Sequence, residues 1–97
     1  MSIKRTSITI GRITFDRVRY DADADVLYLH VGDPTTAVDL DETPEGHHLR
    51  LDAMGRVVGL TMVGVRRDID AGRPLTVTLP ERVEVDPTAL AELVRAA

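Results

Sequence analysis

The sequence predicts a mainly β protein of the α+β class, a small antiparallel β-sandwich or open barrel of about six strands with one C-terminal helix. Turn residues recur at short intervals and separate short apolar segments, as they do in antiparallel sheets. Several of these segments alternate apolar with polar residues, which is the period of a half-buried strand. Helical spacing of apolar residues is confined to the C-terminus.

The N-terminal residues 1–16 are predicted to form a hairpin extension. Ile8 and Ile10 flank a threonine, and a second alternating segment ends at Phe15. Gly11 lies between the two segments, and glycine suits the first central position of a two-residue hairpin turn because that position needs a positive φ. We therefore expect two short antiparallel strands joined at Gly11.

The middle of the chain is predicted to form the main sheet. Residues 26–31 and 57–65 are apolar on both faces of a strand, apart from His30, and such strands are usually central and covered on both sides. Residues 66–74 are rich in charge and are predicted to be a loop. Residues 75–80 alternate apolar side chains with threonines and end at a proline, so they are predicted to form the last strand.

A helix is predicted over residues 86–96. Asp86 is a favourable N-cap residue, and Pro87 fits the first helical position because an N–H there would have no helical acceptor. Three apolar side chains then form a stripe at helical spacing: Leu90, Leu93 and Val94. A helix this short is unstable alone in water, so it must pack against the sheet. All of these elements are predicted to form one domain, residues 1–97.

The composition argues against several classes of function. The chain has no cysteine, which rules out disulfides, thiolate catalysis and cysteine-based metal sites. Its net charge of −4 argues against nucleic acid as a partner, and four basic residues are expected to form a solvated or ion-paired face: Arg17, Arg19, Arg66 and Arg67. We see neither a signal peptide nor an apolar segment that could span a membrane, so we expect a cytoplasmic protein without membrane contact.

Two aspartates are candidate contact residues, although a structural role explains them more simply. Asp21, Asp23 and Asp25 imitate the start of an EF-hand loop. Such a loop needs glycine at its sixth position and a bidentate glutamate at its twelfth, where this chain has Val26 and Gly32. The structural alternative is turn chemistry, in which aspartate side chains accept hydrogen bonds from nearby backbone N–H groups. Asp21 and Asp25 stay candidates for a polar contact site.

The remaining candidate contact residues are Tyr28, His30 and His47. His47 and His48 are neighbours on a predicted strand and point to opposite faces, so they cannot readily bind one metal ion together. A metal site would need His30 or a second chain, and no metal or other cofactor is expected. We find no serine or cysteine nucleophile with partners and no phosphate-binding glycine motif, so catalysis is not the expected function.

Two segments of the chain together resemble a known family. Residues 20–29, Tyr-Asp-Ala-Asp-Ala-Asp-Val-Leu-Tyr-Leu, are similar to its opening Tyr-Asp, its second Asp after a short turn and its Leu-Tyr strand. Residues 51–60 contain, from Asp52, the pattern Asp-x-x-Gly-Arg-hydrophobic-hydrophobic-Gly. In order and spacing the pair resembles domain-of-unknown-function family 2283, a bacterial group of small β-rich proteins, over residues 18–66. Thr61 stands where the family usually has glutamate.

The resemblance implies a fold and no catalytic residues, because the family has no established activity. Some of its members look like antitoxins encoded beside small RNase-like toxins. Our first hypothesis is a non-catalytic protein-interaction module, with an antitoxin-like role as one form of it. The alternative is a small-ligand or metal-binding protein, with or without hydrolytic activity.

We also expect a homo-oligomer, most simply a dimer. Strands that are apolar on both faces need layers above and below them, and one short helix with a few strands cannot supply both. An exposed apolar groove or edge strand would favour the interaction module. A pocket lined by His30 or His47 together with carboxylates would favour the ligand-binding alternative.

Overall fold

The computed structural model describes residues 7–79 and 81–95, and in this part of the chain the protein is mainly β. The predicted fold class is confirmed: antiparallel sheets dominate, one main helix lies at the C-terminus, and no sheet in the described part closes into a barrel. The strands are β1 (Ile8–Ile10), β2 (Ile13–Phe15), β3 (Arg17–Asp21), β4 (Val26–His30), β5 (Asp39–Glu42), β6 (His48–Leu51), β7 (Val57–Val63), β8 (Thr76–Thr78) and β9 (Arg82–Glu84). The helices are α1 (Val65–Asp70) and α2 (Pro87–Arg95), and a 3-10 turn spans Pro34–Thr36.

Five of these strands form the main sheet, in the order β3-β4-β7-β6-β5, with every neighbouring pair antiparallel. The other described strands form two hairpins, β1–β2 and β8–β9. The number of strands is larger than predicted, because strands of three residues are hard to separate from turns by alternation alone.

One face of the main sheet is apolar and forms the core. Because side chains alternate along a strand, Leu27 and Leu29 of β4 point to the same face as Leu60 and Met62 of β7. All four are at most 3% exposed. We call this the inner face, and the opposite face, which carries Tyr28, the outer face.

The hairpins and both helices add side chains to the same core. Phe15 from β2, Val77 from β8, Val65 from α1 and Leu90 from α2 are fully buried and belong to one hydrophobic cluster with the sheet. Burying a side chain of this size contributes about 1.5–3 kcal/mol to stability. The predicted N-terminal extension therefore helps to build the core, since Phe15 is part of it.

Helix α1 corrects the prediction of a charged loop over residues 66–74. Strand β7 ends at Val63, two residues earlier than predicted, and Gly64 begins the helix with a φ of 73°. Val65 is the only buried residue of α1, and Ile69, one turn later, is its only other apolar residue. One such pair is too short a stripe to predict a helix.

Strand β9 corrects the prediction that residues 75–80 form the last strand. β8 and β9 are antiparallel partners, with Val77 opposite Val83. The sequence of β9 is Arg-Val-Glu, and one apolar residue between two charges gives no alternating pattern to detect. Residue 80, the predicted end of the strand, lies outside the described residues.

Helix α2 begins where the sequence predicts. The backbone N–H of Thr88 donates to the Asp86 carboxylate at 2.9 Å, as expected of an N-cap. The predicted stripe of Leu90, Leu93 and Val94 is buried. Residue 96 of the predicted helix and residues 1–6 of the predicted hairpin extension lie outside the described residues.

Candidate functional site

Two rows of side chains cross the outer face of the main sheet. Row one runs from β3 to β5 through Arg17, His30, Gly59, Arg50 and Leu40. Row two lies beside it and runs through Arg19, Tyr28, Thr61, His48 and Glu42. Directly opposed residues of neighbouring antiparallel strands have Cβ atoms about 4.5–5.5 Å apart, so neighbours within each row can touch.

The two rows line a cleft of about 290 Å³ near the β3 side of the sheet. Its polar and aromatic walls come from Arg17, Arg19, Tyr28, His30, Arg50 and Thr61, with Pro34 at one side. No carboxylate of the described residues lines the cleft. Within the described residues, none of its three arginines forms an ion pair. We call this electropositive site the basic cleft.

Gly59 allows two members of row one to approach each other. A Cβ atom at this position would lie 3.0 Å from the Cβ of Arg50 and 3.0 Å from the Cδ2 of His30. Such distances are shorter than normal contacts, so any larger residue would push these side chains apart. Gly59 is also the last glycine of the second family-like motif, and its role here is close packing under the basic cleft.

Arg19 and Tyr28 form a cation–π pair in row two. The guanidinium carbon of Arg19 lies 4.4 Å from the centre of the Tyr28 ring. This distance is within the range in which the ring attracts a cation, and the contact holds the long arginine side chain over the sheet. Tyr28, a predicted contact residue, therefore forms the aromatic floor under Arg19.

His30 is the most buried polar residue of the basic cleft, at 8% exposure. Its Nδ1 lies 3.0 Å from the backbone oxygen of Val31. A carbonyl oxygen only accepts, so Nδ1 carries the hydrogen of this bond. Nε2 is buried and has no hydrogen-bond partner among the described residues, whereas most buried polar atoms in proteins are paired.

The predicted contact residues lie in three separate places. Tyr28 and His30 meet in the basic cleft. Asp21 and Asp25 lie at the other end of the β3–β4 hairpin, where Asp21 is opposite Val26. His47 immediately precedes β6. The structure therefore brings two of these candidates together and separates the other three from them.

Asp21 and Asp25 have roles in the turn and in helix α1. The Asp21 carboxylate accepts hydrogen bonds from the backbone N–H groups of Asp23 and Ala24, at 3.1 and 3.2 Å. The Asp25 carboxylate accepts from the N–H groups at the start of α1 and from the hydroxyl of Tyr20, the latter at 2.7 Å. This is the turn chemistry weighed against an EF-hand in the sequence.

The hydrogen bonds around Asp25 set its charge. Partial burial favours the neutral form, but the N–H of Arg66 and the hydroxyl of Tyr20 stabilise the carboxylate and hold the pKa of Asp25 below its usual value. Burial and the neighbouring carboxylate raise the pKa of Tyr20 to about 12. The pair is thus an ionised aspartate and a neutral tyrosine donor at neutral pH.

His47 connects the loop before β6 to the end of β7. It is 6% exposed, and its Nδ1 accepts a hydrogen bond from the backbone N–H of Val63 at 3.2 Å. Burial lowers the pKa of His47, which favours the neutral ring that such an acceptor requires. Its contacts explain His47 as a structural residue.

The second family-like motif forms the turn of the β6–β7 hairpin. Asp52 accepts hydrogen bonds from the backbone N–H groups of Met54 and Arg56, both at 2.9 Å. The Nε of Arg56 donates to the same carboxylate at 3.0 Å. Gly55 has a φ of 77°, as the predicted turn requires. The aspartate, glycine and arginine of this motif thus serve one tight turn.

The β5 edge of the sheet differs from the β3 edge in charge. Residues 32–46 contain five acidic and no basic side chains. Val38 and Leu40 in this segment are 67% and 68% exposed. We call residues 32–46 the acidic segment.

The backbone of β5 is partly blocked from pairing with another strand. The N–H groups of Leu40 and Glu42 donate to the carboxylates of the residues before them, Asp39 and Asp41, at 2.8 Å each. The N–H of Thr43 donates to the backbone oxygen of His47, which lies on the β6 side of the strand. Successive N–H groups along a strand point alternately to its two sides. The N–H groups of Leu40 and Glu42 therefore face away from β6, and aspartates occupy the donors of this exposed edge.

Neither a metal-binding cluster nor a membrane-spanning helix occurs in the described residues. No group of three or more histidine, aspartate or glutamate side chains lies close enough to hold a metal ion in residues 7–79 and 81–95. No helix in the same residues is long and apolar enough to cross a membrane.

The fold and the basic cleft define a small antiparallel β protein with one open, charged sheet face. The chain belongs to the family described as Protein of unknown function (DUF2283), whose profile matches residues 17–66. This range contains all five strands of the main sheet and both rows. No curated protein and no solved structure gives a significant match to the chain.

Sequence reasoning identified Tyr28 and His30 but assigned the arginines to a different group. Arg17 and Arg19 do lie together, whereas Arg66 and Arg67 are at the start of α1. Arg50 completes the cleft and was not predicted. The pairing of β6 with β7 places it there, and only knowledge of that register could have found it.

Proposed function

We propose that this chain is a non-catalytic protein-interaction module that binds a second copy of itself through the outer face of the main sheet. The observation that carries the proposal is the opposite charge at the two ends of row two on this face. Arg19 lies at the β3 end and Glu42 at the β5 end. A surface of this kind is complementary to a second copy of itself.

Row two supplies the charges on which the proposal depends. Arg19 and Glu42 stand at its two ends, and both are exposed. If two outer faces meet with the two-fold axis parallel to β7, Arg19 of one copy lies opposite Glu42 of the other. The symmetry repeats this contact, so each dimer gains two such ion pairs.

Apolar and aromatic side chains on the same face support a protein partner. Leu40 of row one is exposed, and Tyr28 lies in the cleft with an arginine over its ring. Tyrosine and arginine are enriched in protein interfaces. Contact through side chains is favoured over addition of a strand at β5, because aspartates occupy the outward N–H groups of that edge.

The size of the face predicts a weak dimer. Five strands span about 24 Å, and five residues along a strand span about 17 Å. An interface of this size is at the small end of specific protein contacts. We therefore expect dissociation constants in the micromolar range or weaker, which makes the association sensitive to charge and salt.

Light scattering after size-exclusion chromatography, run over a series of protein concentrations, tests the proposal. The wild-type mass should rise from 10.7 kDa towards twice that value. Arg19→Glu and Glu42→Arg should each stay monomeric, and an equal mixture of the two should recover the dimer because both contacts again join opposite charges. Arg12→Glu, which changes an exposed residue in the β1–β2 turn, is the control. A monomer at every concentration, or no recovery on mixing, contradicts the proposal.

An antitoxin-like role is a more specific form of the same function. In that case a small toxin would compete with the second copy for the outer face. Co-expression with a small toxin encoded by a neighbouring gene tests this role. The wild-type protein should neutralise the toxin, and Arg19→Glu should not. Neutralisation that survives Arg19→Glu would exclude the outer face as the binding surface.

A further inference from the structure

We propose that the basic cleft contains a binding site for a phosphate group, formed in row one by His30 with the guanidinium groups of Arg17 and Arg50. The ligand class is inorganic phosphate or a small phosphomonoester. The proposal goes beyond self-association, because it concerns a small ligand and rests on row one, whereas the contact between copies rests on row two.

The unpaired Nε2 of His30 is the observation that carries this proposal. The ring is 8% exposed, and its Nδ1 is committed to the backbone oxygen of Val31. The orientation of the ring is therefore set, and Nε2 has no partner in the described part of the chain. Leaving a buried polar atom unpaired is unfavourable, so such an atom beside a cleft indicates a partner supplied by a ligand.

The two arginines lie on either side of this ring. Arg17 is directly opposite His30 in the β3–β4 register. Arg50 approaches it across Gly59, whose missing Cβ leaves the room that both side chains use. Neither arginine forms an ion pair within residues 7–79 and 81–95. Guanidinium groups bind phosphate oxygens with paired, charge-assisted hydrogen bonds. Because they are positively charged donors, they suit an anion as ligand and not a metal ion.

The acceptor role of Nε2 favours phosphate among the oxyanions. Because Nδ1 carries the hydrogen, Nε2 of the neutral ring is an acceptor and needs a ligand that donates. A phosphomonoester loses its second proton near pH 6, so part of it still carries a proton near neutral pH, and this proton can lie between Nε2 and a phosphate oxygen. Sulfate and phosphodiesters have no such proton and would require the ring to be protonated first.

The charged groups that face His30 fix the expected pH dependence. Arg17 on β3 and Arg50 on β6 stay charged. Asp33, after β4, has its pKa held below the usual value by hydrogen bonds from Thr35, with smaller effects of Arg17 and His30, so it stays ionised. The affinity for phosphate should therefore fall as the pH rises from about 6 to about 8, because the phosphomonoester loses its second proton in this range.

Self-association and phosphate binding can be separated by experiment. In the proposed dimer, the basic side chains of row one in one copy lie close to those of row one in the other. A bound phosphate would therefore also favour the dimer. Glu42→Arg removes the proposed contact between copies. It leaves the side chains of row one intact and adds a positive charge in row two, beside row one. Phosphate binding is therefore measured in both wild type and Glu42→Arg.

NMR titration of isotope-labelled protein at constant ionic strength is the test. The probes are inorganic phosphate, glycerol phosphate, sulfate and dimethyl phosphate. Phosphate and glycerol phosphate should give saturable chemical-shift changes of the His30 ring and of the Arg17 and Arg50 side chains. Whichever of the two binds more tightly indicates whether the site prefers inorganic phosphate or a phosphomonoester. Sulfate and dimethyl phosphate should bind much more weakly at neutral pH. Absence of saturable shifts at millimolar phosphate, or equal binding of all four anions, would overturn the proposal.

Variants assign the binding to row one. Arg17→Gln and Arg50→Gln should each weaken phosphate binding about tenfold, because each removes a charge-assisted hydrogen bond. Arg12→Gln is the matched control and should bind like wild type. His30→Gln is compared with His48→Gln after thermal melting has established that both are folded. If His30→Gln does not fold, the variants of the two exposed arginines, Arg17 and Arg50, test whether row one binds phosphate. An equal loss of phosphate affinity in Arg12→Gln would reject the site.

Discussion

The carboxylate of Asp25 accepts a hydrogen bond from the backbone N–H of Arg66 at 2.9 Å, although 41 residues separate them in the sequence. It also accepts from the N–H of Arg67 at 3.1 Å. A helix leaves its first N–H groups without helical acceptors, and the N-cap residue of α1, Gly64, has no side chain to cap them. The turn between β3 and β4 therefore supplies the cap of α1.

Removing this cap should destabilise the protein. We expect Asp25→Ala to lower the free energy of unfolding by about 1–2 kcal/mol, the usual cost of losing an N-cap side chain. Asp25 also has a φ of 54°, which alanine tolerates less well than aspartate. Urea denaturation measures the change. Asp23→Ala, an exposed position in the same turn, is the control, and equal midpoints for the two variants would contradict the capping role.

The same contact predicts a pH dependence. The pKa of Asp25 is lower in the folded protein, so its charge stabilises the fold fully above the pKa of an unfolded aspartate, about 3.9. The stabilisation is lost as the pH falls through the lower folded value. The stability difference between wild type and Asp25→Ala should thus be constant near neutral pH and shrink below about pH 4. A difference that grows on acidification would show that the charge of Asp25 does not contribute.

The two central strands of the main sheet, β4 and β7, could be predicted from the sequence because each is a mostly apolar segment between turn residues. Leu27 and Leu29 face the core while Tyr28 faces outwards, as period two requires. Helix α1 could not be predicted, because its cap comes from Asp25 and only Val65 and Ile69 of its residues pack on the core. Local pattern does not reveal an element that is stabilised by a distant residue.

The candidate site could be predicted only in part for a related reason. His30 stood out as a polar residue in an apolar strand, and Tyr28 as an aromatic one. Arg50 joins them through two strand pairings, and the register shifts between Arg50 and Leu51 where β6 meets β7. A shift of one residue would turn Arg50 to the other face, so its position depends on the folded register.

Gly55 should be required by its backbone conformation alone. Its φ is 77°, and a Cβ atom at this position would have no heavy atom within 4 Å. We expect Gly55→Ala to cost about 1 kcal/mol through backbone strain, without steric overlap. Gly55→Asn should cost less, because asparagine tolerates a left-handed conformation. A thermal melt of Gly55→Ala that matches wild type would disprove the prediction.

Divalent metals should not bind with functional affinity. His47 uses Nδ1 for the N–H of Val63, and Asp25 uses its carboxylate for α1, so neither is available as a ligand without loss of a structural bond. His30 lies among arginines, whose charge repels a cation. Isothermal calorimetry with zinc and calcium should give no stoichiometric binding, and a micromolar site for either ion would refute this.

Gly59→Ala should affect both stability and the basic cleft. The added methyl group would lie 3.0 Å from the Cβ of Arg50 and from the Cδ2 of His30, so at least one of these side chains must move. Overpacking of this kind typically costs about 1–3 kcal/mol. The cost should be smaller in a His30→Ala background, where one of the two contacts is absent, and a double-mutant cycle by urea denaturation measures the difference. Equal costs in both backgrounds would mean that His30 does not limit the space at Gly59. Because the clash displaces row one, Gly59→Ala should also weaken phosphate binding. Val63→Ala, on the same strand and face but outside the cleft lining, should not.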